Sequence, residues 1–306
     1  MSKIKVDVNF IFPGQGSQYI GIGSNIFKIN DYAKSLLSYT NDILGYKIDE
    51  ICINPNGLIN KTKYTQPAIF LYNAIADFIV KDNGYNPVSY AGHSLGEYSA
   101  LVSSGCVSFE DALGIIKIRA NEMDSSNKYK PGKMAAVINL EANQFKEIES
   151  NINGVIVIAN YNSNKQTIIS GESKAIDTFL IIAKKMNIRA LPLNVSGAFH
   201  SPLMNNAMKK LEGHINMVKF NDIETPIYQN FTPNRNYNNS KIKCNLIKQI
   251  ISSVRWIESI TNMADDYTMD FVEVGPKKVL SKLNTNINKG INSIIFEDIK
   301  FNAKFN

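Results

Sequence analysis

Gly92-His93-Ser94-Leu95-Gly96 constrains this chain more than any other run. An apolar segment, VSYA (88–91), precedes it and reads as a short strand. The segment LGEYSALVSS (95–104) follows and reads as a helix ending near Gly105. A serine held between a strand and a helix by glycines on both sides is the G-x-S-x-G elbow in the context it needs. The small flanking residues let the backbone turn sharply and push Ser94 Oγ into the open. The helix behind aims its first N–H groups and its positive end at the reacting oxygen. The same five residues also occur as a plain structural turn, and the strand and helix on either side favour a nucleophile.

The elbow belongs to a larger alternation. VDVNFIF (6–12) reads as a buried strand running into a glycine turn, PGQGSQ. QPAIFLYNAIADFIV (66–80) and residues 109–123 carry apolar side chains at helical spacing, with Pro67 suited to a first turn. Strands alternating with helices predict a parallel-sheet α/β core. The middle differs. Strands over 134–140, 155–162, 166–171 and 189–195, with helices over 141–152 and 172–186, give β-α-β-β-α-β, a ferredoxin-like unit. The expected organisation is a large, discontinuous α/β-hydrolase-like domain (1–130 and 198–306) carrying a small inserted subdomain (131–197). Its entry hinge lies at Lys128–Gly132 and its exit near Ser196-Gly197. FVEV (271–274) reads as a late strand of the large domain, followed by a helix opening at GPKKVLSKL. The tail, 287–306, carries no functional motif.

A chain of 306 residues can bury a full core without staples. The net charge is +6, but Lys and Arg are scattered, which argues against nucleic acid and suits an acidic partner. Three distant cysteines, Cys52, Cys106 and Cys244, support neither a disulfide framework nor a zinc site. They read as core residues in a reducing compartment. The N-terminus reads as a first strand rather than a signal peptide. No stretch approaches 18 apolar residues, so no membrane span and a cytoplasmic location are expected.

A serine nucleophile needs a base. Of the three histidines, His93 adjoins Ser94 and reads as a pocket wall or an elbow hydrogen-bonding residue, and His214 sits in a polar helix-like stretch and reads as exposed. His200, in the small-residue loop SGAFHSP after a strand, is the best candidate, with a capping or core role as its alternative. Gly14-Gln15-Gly16 does not fit G-x-G-x-x-G. Its other use is to present a backbone N–H toward an oxyanion, paired with that of Leu95. Arg119 lies on an apolar helix-like stretch. It either snorkels to the surface or faces the pocket, where it would grip a carboxylate bidentately.

FIFPGQGSQY (10–19), YTQPAI (64–69), GHSLGEYSAL (92–101), Arg119 with Met123, GKMAAV (132–137), GAFHS (197–201) and VEVGPKKVL (272–280) together resemble the malonyl-coenzyme A:acyl-carrier-protein transacylase family across essentially the whole chain. The resemblance implies ping-pong acyl transfer through a Ser94 ester, with His200 as base, the N–H groups of Gln15 and Leu95 as oxyanion hole, and Arg119 on the malonyl carboxylate. It places Gln66, Met123, Asn160 and Phe199 in the substrate pocket, and makes the main-chain carbonyl of Gln249 the group that orients His200. Phe199 and Leu95 resemble the malonyl-selecting members. Ala120-Asn121 departs from the pattern, in which Gly commonly follows the arginine. DILGYKIDEIC (42–52), EYSALVSSG, LNVSGAFHS and SVRWIESI resemble discrete trans-acting polyketide acyltransferases at least as well as fatty-acid enzymes. The implied partners are malonyl-coenzyme A and the phosphopantetheine arm of an acyl carrier protein. No metal and no cofactor are expected, and the chain is expected to be a monomer. The alternatives are an acyl-carrier or acyl-coenzyme A serine hydrolase, in which water is the acceptor, and a non-catalytic docking module. The position of His200, 106 residues before the end, disfavours a standard α/β-hydrolase.

Overall fold

A computed structural model describes residues 5–128 and 130–299. Nine strands follow one another among the described residues: β1 (Val6–Phe12), β2 (Tyr85–Gly92), β3 (Gly132–Ile138), β4 (Ile156–Ser163), β5 (Gln166–Glu172), β6 (Ala190–Pro192), β7 (Ile227–Tyr228), β8 (Asp270–Glu273) and β9 (Asn292–Ile295). The helices are α1 (Asp31–Leu44), α2 (Ile48–Ile53), α3 (Thr62–Asp82), α4 (Gly96–Ser103), α5 (Phe109–Ser125), α6 (Ala142–Glu149), α7 (Ser173–Lys185), α8 (Asn205–Met217), α9 (Asn239–Gln249), α10 (Trp256–Asp266) and α11 (Val279–Ile287).

The larger sheet has the order β7-β2-β1-β8-β9, with every pair parallel. Parallel sheets bury both faces, and β1 shows why its sequence is nearly all apolar. Val8, Phe10 and Phe12 join one core with α1, α3, α4 and α5, while Ile11 joins a second core with Trp256, Ile260 and Phe271. The polar exception, Asn9, is fully buried and satisfied at both ends. Its Nδ2 donates to the Thr268 carbonyl (2.6 Å) and its Oδ1 accepts from Ser89 Oγ (2.6 Å). The α/β class and parallel sheet expected from the sequence are therefore present.

The smaller sheet has the order β4-β5-β3-β6, antiparallel throughout, which is the ferredoxin-like arrangement. Its side chains alternate in destination. Ala135, Val137 and Ile169 pack with α6 and α7 in a core of their own, whereas Met134, Ala136 and Ile168 face the large domain. The edge of β4 is tied to the large domain by backbone bonds, Tyr161 N–H to Val254 O (2.9 Å) and Val254 N–H to Ala159 O (2.8 Å).

Several local expectations need correction. Pro67 is not in a first turn, because α3 begins at Thr62 and puts it in the second. Proline cannot bond back to the carbonyl of Lys63, and the Tyr46 hydroxyl donates to that carbonyl instead (3.3 Å). The run 189–195 is strand only at Ala190–Pro192. The run 88–91 extends back to Tyr85 through Pro87, which is tolerated because β7 pairs only with Tyr90 and Ala91. The tail supplies the fifth strand of the large sheet and residues that line the cleft, Ile295 among them. Its last residues, 300–306, lie outside the described residues, as do residues 1–4 of the N-terminal segment and Tyr129 of the entry hinge.

Candidate active site

The turn after β2 shows why glycine stands on both sides of Ser94. A Cβ on Gly92 would lie 1.9 Å from the Gly96 carbonyl carbon, and one on Gly96 would lie 2.0 Å from the Phe12 oxygen. Ser94 itself has φ 52°, in the left-handed region. A non-glycine residue held there costs about 1–3 kcal/mol and persists only where its surroundings hold it. They do. The Ser94 carbonyl accepts from Gln249 Nε2 (2.8 Å), and its N–H donates to Asn230 Oδ1 (2.7 Å).

His200 also has positive φ, at 55°. Its Nε2 lies 2.8 Å from Ser94 Oγ. Its Nδ1 faces two carbonyls, Gln249 O (3.0 Å) and Ser252 O (3.2 Å). Carbonyls only accept, so Nδ1 carries the proton and Nε2 is left to accept from the serine. Burial, and then the charge of Arg119, push the His200 pKa down to about 3. The imidazole is therefore neutral, as a base must be.

Arg119, on α5, is fully buried rather than snorkelling. Its NH1 donates to Gln66 Oε1 (2.7 Å), and its NH2 donates to Ser94 Oγ (3.0 Å) and Gln249 Oε1 (3.3 Å). Its Nε has no partner, and no carboxylate of the described residues forms an ion pair with it. Burial lowers its pKa, while the nearby Tyr98 and Glu97 oppose that shift. Arginine only donates, so the directions around Oγ are settled: Arg119 donates to Oγ, and Oγ–H donates to His200. An arginine donor at the serine oxygen stabilises charge developing there.

The other expected residues lie around this pair. Gln66 Nε2 contacts Met123 Sδ (3.3 Å), so Gln66 bridges Met123 and Arg119. Met123, Asn160, Phe199 and Gln15 line a cleft of about 830 Å³ together with Ser94 and His200. The glycine loop before α1 packs on the elbow, with a Cβ on Gly14 falling 3.4 Å from the Leu95 nitrogen. The Gln15 and Leu95 N–H groups donate to no other group of the described residues. His93 does what the sequence suggests: it lines the cleft, bonds Asn162 Oδ1 through Nε2 (2.8 Å) and meets Trp256 edge-on. His214 is exposed. Asn160, Asn162 and Ile168 come from the smaller sheet, so the cleft lies between the two sheets.

Sequence reasoning missed four contributors. Asn162 holds His93, Asn230 braces the elbow, and Glu97 is a fully buried carboxylate bonded to Asn230 N–H (2.8 Å) and Gln229 Nε2 (3.1 Å). The fourth is the side chain of Gln249, which joins Arg119 to the Ser94 carbonyl. Of these only Glu97 left a signal, a charge on an otherwise apolar helix face. Among the described residues no group of three His, Cys, Asp or Glu side chains can hold a metal ion, and no helix is long and apolar enough to cross a membrane.

Residues 9–300 match the acyl transferase domain family. A malonyl CoA-acyl carrier protein transacylase of Synechocystis is 36% identical over 90% of this chain and 91% of its own length. A polyketide biosynthesis malonyl CoA-acyl carrier protein transacylase of Bacillus velezensis is 37% identical over 90% of this chain and 95% of its own. The crystal structure of the Synechocystis malonyl-CoA:ACP transacylase superposes with a TM-score of 0.88 at 33% identity, covering 95% of this chain and 97% of that one. With a serine elbow and a carbonyl-oriented histidine in one cleft, and a buried arginine bonded to the serine oxygen behind them, the chain belongs to the acyl transferase family, among its malonyl CoA-acyl carrier protein transacylases.

Proposed function

We propose that this chain moves a malonyl group from coenzyme A to the phosphopantetheine thiol of an acyl carrier protein, through an ester on Ser94. The observation that carries this reading is Arg119: a fully buried guanidinium, 3.0 Å from Ser94 Oγ, with an unpartnered Nε and no carboxylate paired to it among the described residues. Leaving a buried charge unpaired is costly, so the site suits a substrate that brings its own carboxylate. Malonyl thioesters carry one at the end of the acyl chain; acetyl thioesters do not.

In the first half-reaction Ser94 Oγ attacks the thioester carbonyl carbon and its proton passes to His200 Nε2. The oxyanion forms against the N–H groups of Gln15 and Leu95, which are free to receive it. The carbon–sulfur bond breaks, and the coenzyme A sulfur leaves with the proton from Nε2. In the second half the carrier thiol gives its proton to Nε2 and attacks the ester carbonyl, and Ser94 recovers its proton on release. The Gln249 and Ser252 carbonyls hold His200 in the required tautomer, where a triad would use a carboxylate. Gln66 and Met123 position Arg119, and Asn160 and Phe199 close the pocket around the acyl chain.

The coenzyme A thioester is a substrate, and the reaction needs no resident metal or cofactor. The basic net charge supports an acidic carrier protein as partner rather than nucleic acid, and three free cysteines, Cys52 and Cys106 in the core but Cys244 exposed rather than buried as expected, support a cytoplasmic, reducing setting. We take the working form to be a monomer, with residues 131–197 as the small wall of the cleft. The same chemistry serves fatty-acid and trans-acting polyketide enzymes, which differ in the recipient carrier.

The test is intact-protein mass spectrometry after mixing with malonyl-, methylmalonyl- or acetyl-coenzyme A. A malonyl adduct, absent in Ser94→Ala and passed on to an added carrier protein, is the expected result. Free malonate accumulating without transfer to any carrier would make the chain a hydrolase. No adduct and no turnover would leave a docking module.

A further inference from the structure

We propose that Asn230 is a positioning residue for the nucleophile. Its side-chain amide bridges the two peptide groups on either side of His93, directly before Ser94, and Glu97 holds Asn230 in place. The inference rests on the Ser94 chemistry proposed above.

The geometry begins in the sheet. Strand β7 pairs with β2 only at Tyr90 and Ala91. Beyond that point β2 bends into the elbow, and the backbone ladder with β7 stops. Asn230, two residues past the end of β7, continues the connection with its side chain. Its Nδ2 donates to the Gly92 carbonyl (2.7 Å), and its Oδ1 accepts the Ser94 N–H (2.7 Å). The residue is fully buried, so neither bond is exchanged for water. One rigid amide therefore sets the separation of a carbonyl and an N–H two residues apart, across His93 and directly before a serine whose φ is 52°.

Asn230 is held in turn by the helix that the elbow opens. Its backbone N–H donates to Glu97 Oε2 (2.8 Å), and Gln229 Nε2 donates to Glu97 Oε1 (3.1 Å). Glu97 lies in the first turn of α4, and its own N–H donates to the Ser94 carbonyl (3.2 Å). A closed ring results: Ser94 to Asn230, Asn230 to Glu97, and Glu97 back to Ser94. With the Ser94 N–H bonded to Asn230, the neighbouring Leu95 N–H is the one left without an acceptor among the described residues. The Asn230 side chain bonds neither Gln66 nor Arg119, so losing it should affect the rate of Ser94 attack and leave substrate binding intact.

The experiment follows two reactions of Ser94. One is formation of the malonyl ester, timed by mass spectrometry. The other is labelling by a fluorophosphonate, which needs an activated serine but no malonyl group. Asn230→Ala is expected to slow both by about 10²-fold, the cost of an ångström-scale misplacement, with KM for malonyl-coenzyme A unchanged. Asn230→Asp adds a signature that mere folding support cannot mimic. An ionised carboxylate would repel the Gly92 carbonyl, whereas a protonated one donates to it and still accepts from Ser94. Burial favours the protonated form. The rate of Asn230→Asp should therefore climb toward wild type between about pH 8 and about pH 5, while wild type stays level. Glu97→Gln, of the same size, places an amide NH2 against a donor and should slow both reactions less than Asn230→Ala. It also serves as the test if Asn230→Ala fails to fold. Wild-type rates per folded molecule in these variants, or an Asn230→Asp profile parallel to wild type, would overturn the proposal. Wild type that accepts fluorophosphonate but forms no malonyl ester would sink the transfer reading alone, and the labelling rates would still judge Asn230.

Discussion

The two sheets of this protein meet the same cleft on different terms. The parallel sheet is buried on both faces and presents its strand ends: Ser94 follows β2, and the glycine loop follows β1. The antiparallel sheet presents a face, with Asn160 and Ile168 lining the cleft and Ile169 turned into its own core. Reactive groups gather where strand ends expose backbone and side chains in a turn whose geometry is over-determined. A sheet face offers a smooth wall. Chemistry should therefore be concentrated on one side of the cleft, and shape on the other.

The largest effect on this division of labour is expected of Ser94→Ala. Turnover should fall by about 10⁶-fold, with folding and malonyl-coenzyme A binding retained, measured by carrier-protein malonylation and by calorimetric binding. Next comes Arg119→Ala, which should lower kcat/KM for malonyl-coenzyme A by about 10²-fold and erase the preference over acetyl-coenzyme A, read from competition between the two thioesters. Arg119→Lys should restore only part of this, because a point charge cannot replace the fork that joins Gln66, Gln249 and Ser94. On the other sheet, Ile169→Ala should cost about 2–5 kcal/mol of stability by denaturant unfolding while leaving turnover per folded molecule unchanged. A large loss of turnover there would mean that the wall does more than shape the cleft. The smallest effect is that of pH. With the His200 pKa pushed down to about 3, the base remains unprotonated as acid is added. The rate of ester formation per folded molecule should therefore stay level from about pH 8 to about pH 5, and fall only as pH approaches the depressed pKa. An acid limb near the ordinary histidine range would show that His200 is less shielded than its surroundings imply.

How much was legible follows from how local each cause is. The elbow could be read because two glycines, a serine and the adjoining strand and helix lie within a few residues, and the steric demand at Gly92 and Gly96 is met inside that run. The ferredoxin-like unit could be read because short apolar runs and helix-like stretches follow one another in the order β-α-β-β-α-β within about 60 residues. Strands β7 and β9 were not read. β7 has two residues, too few for a pattern, and β9 stands among half-buried residues in a segment that resembles a tail.

The amino-acid sequence alone was enough for the fold class and for the proposal of Ser94 as nucleophile and His200 as base, since one serine stands in an elbow and one of three histidines stands in a loop after a strand. It also placed Arg119 on a helix beside the elbow helix, but left open whether the guanidinium snorkels or faces inward. Tertiary structure decided that question. It buried the arginine with no carboxylate of the described residues paired to it, turned two carbonyls onto His200 Nδ1, and brought Asn230 across 136 residues to the Ser94 N–H. The physical reason is range. Steric rules and periodicity act between neighbours along the chain, whereas the partner of a buried polar group is whichever donor or acceptor the packed sheets deliver to it.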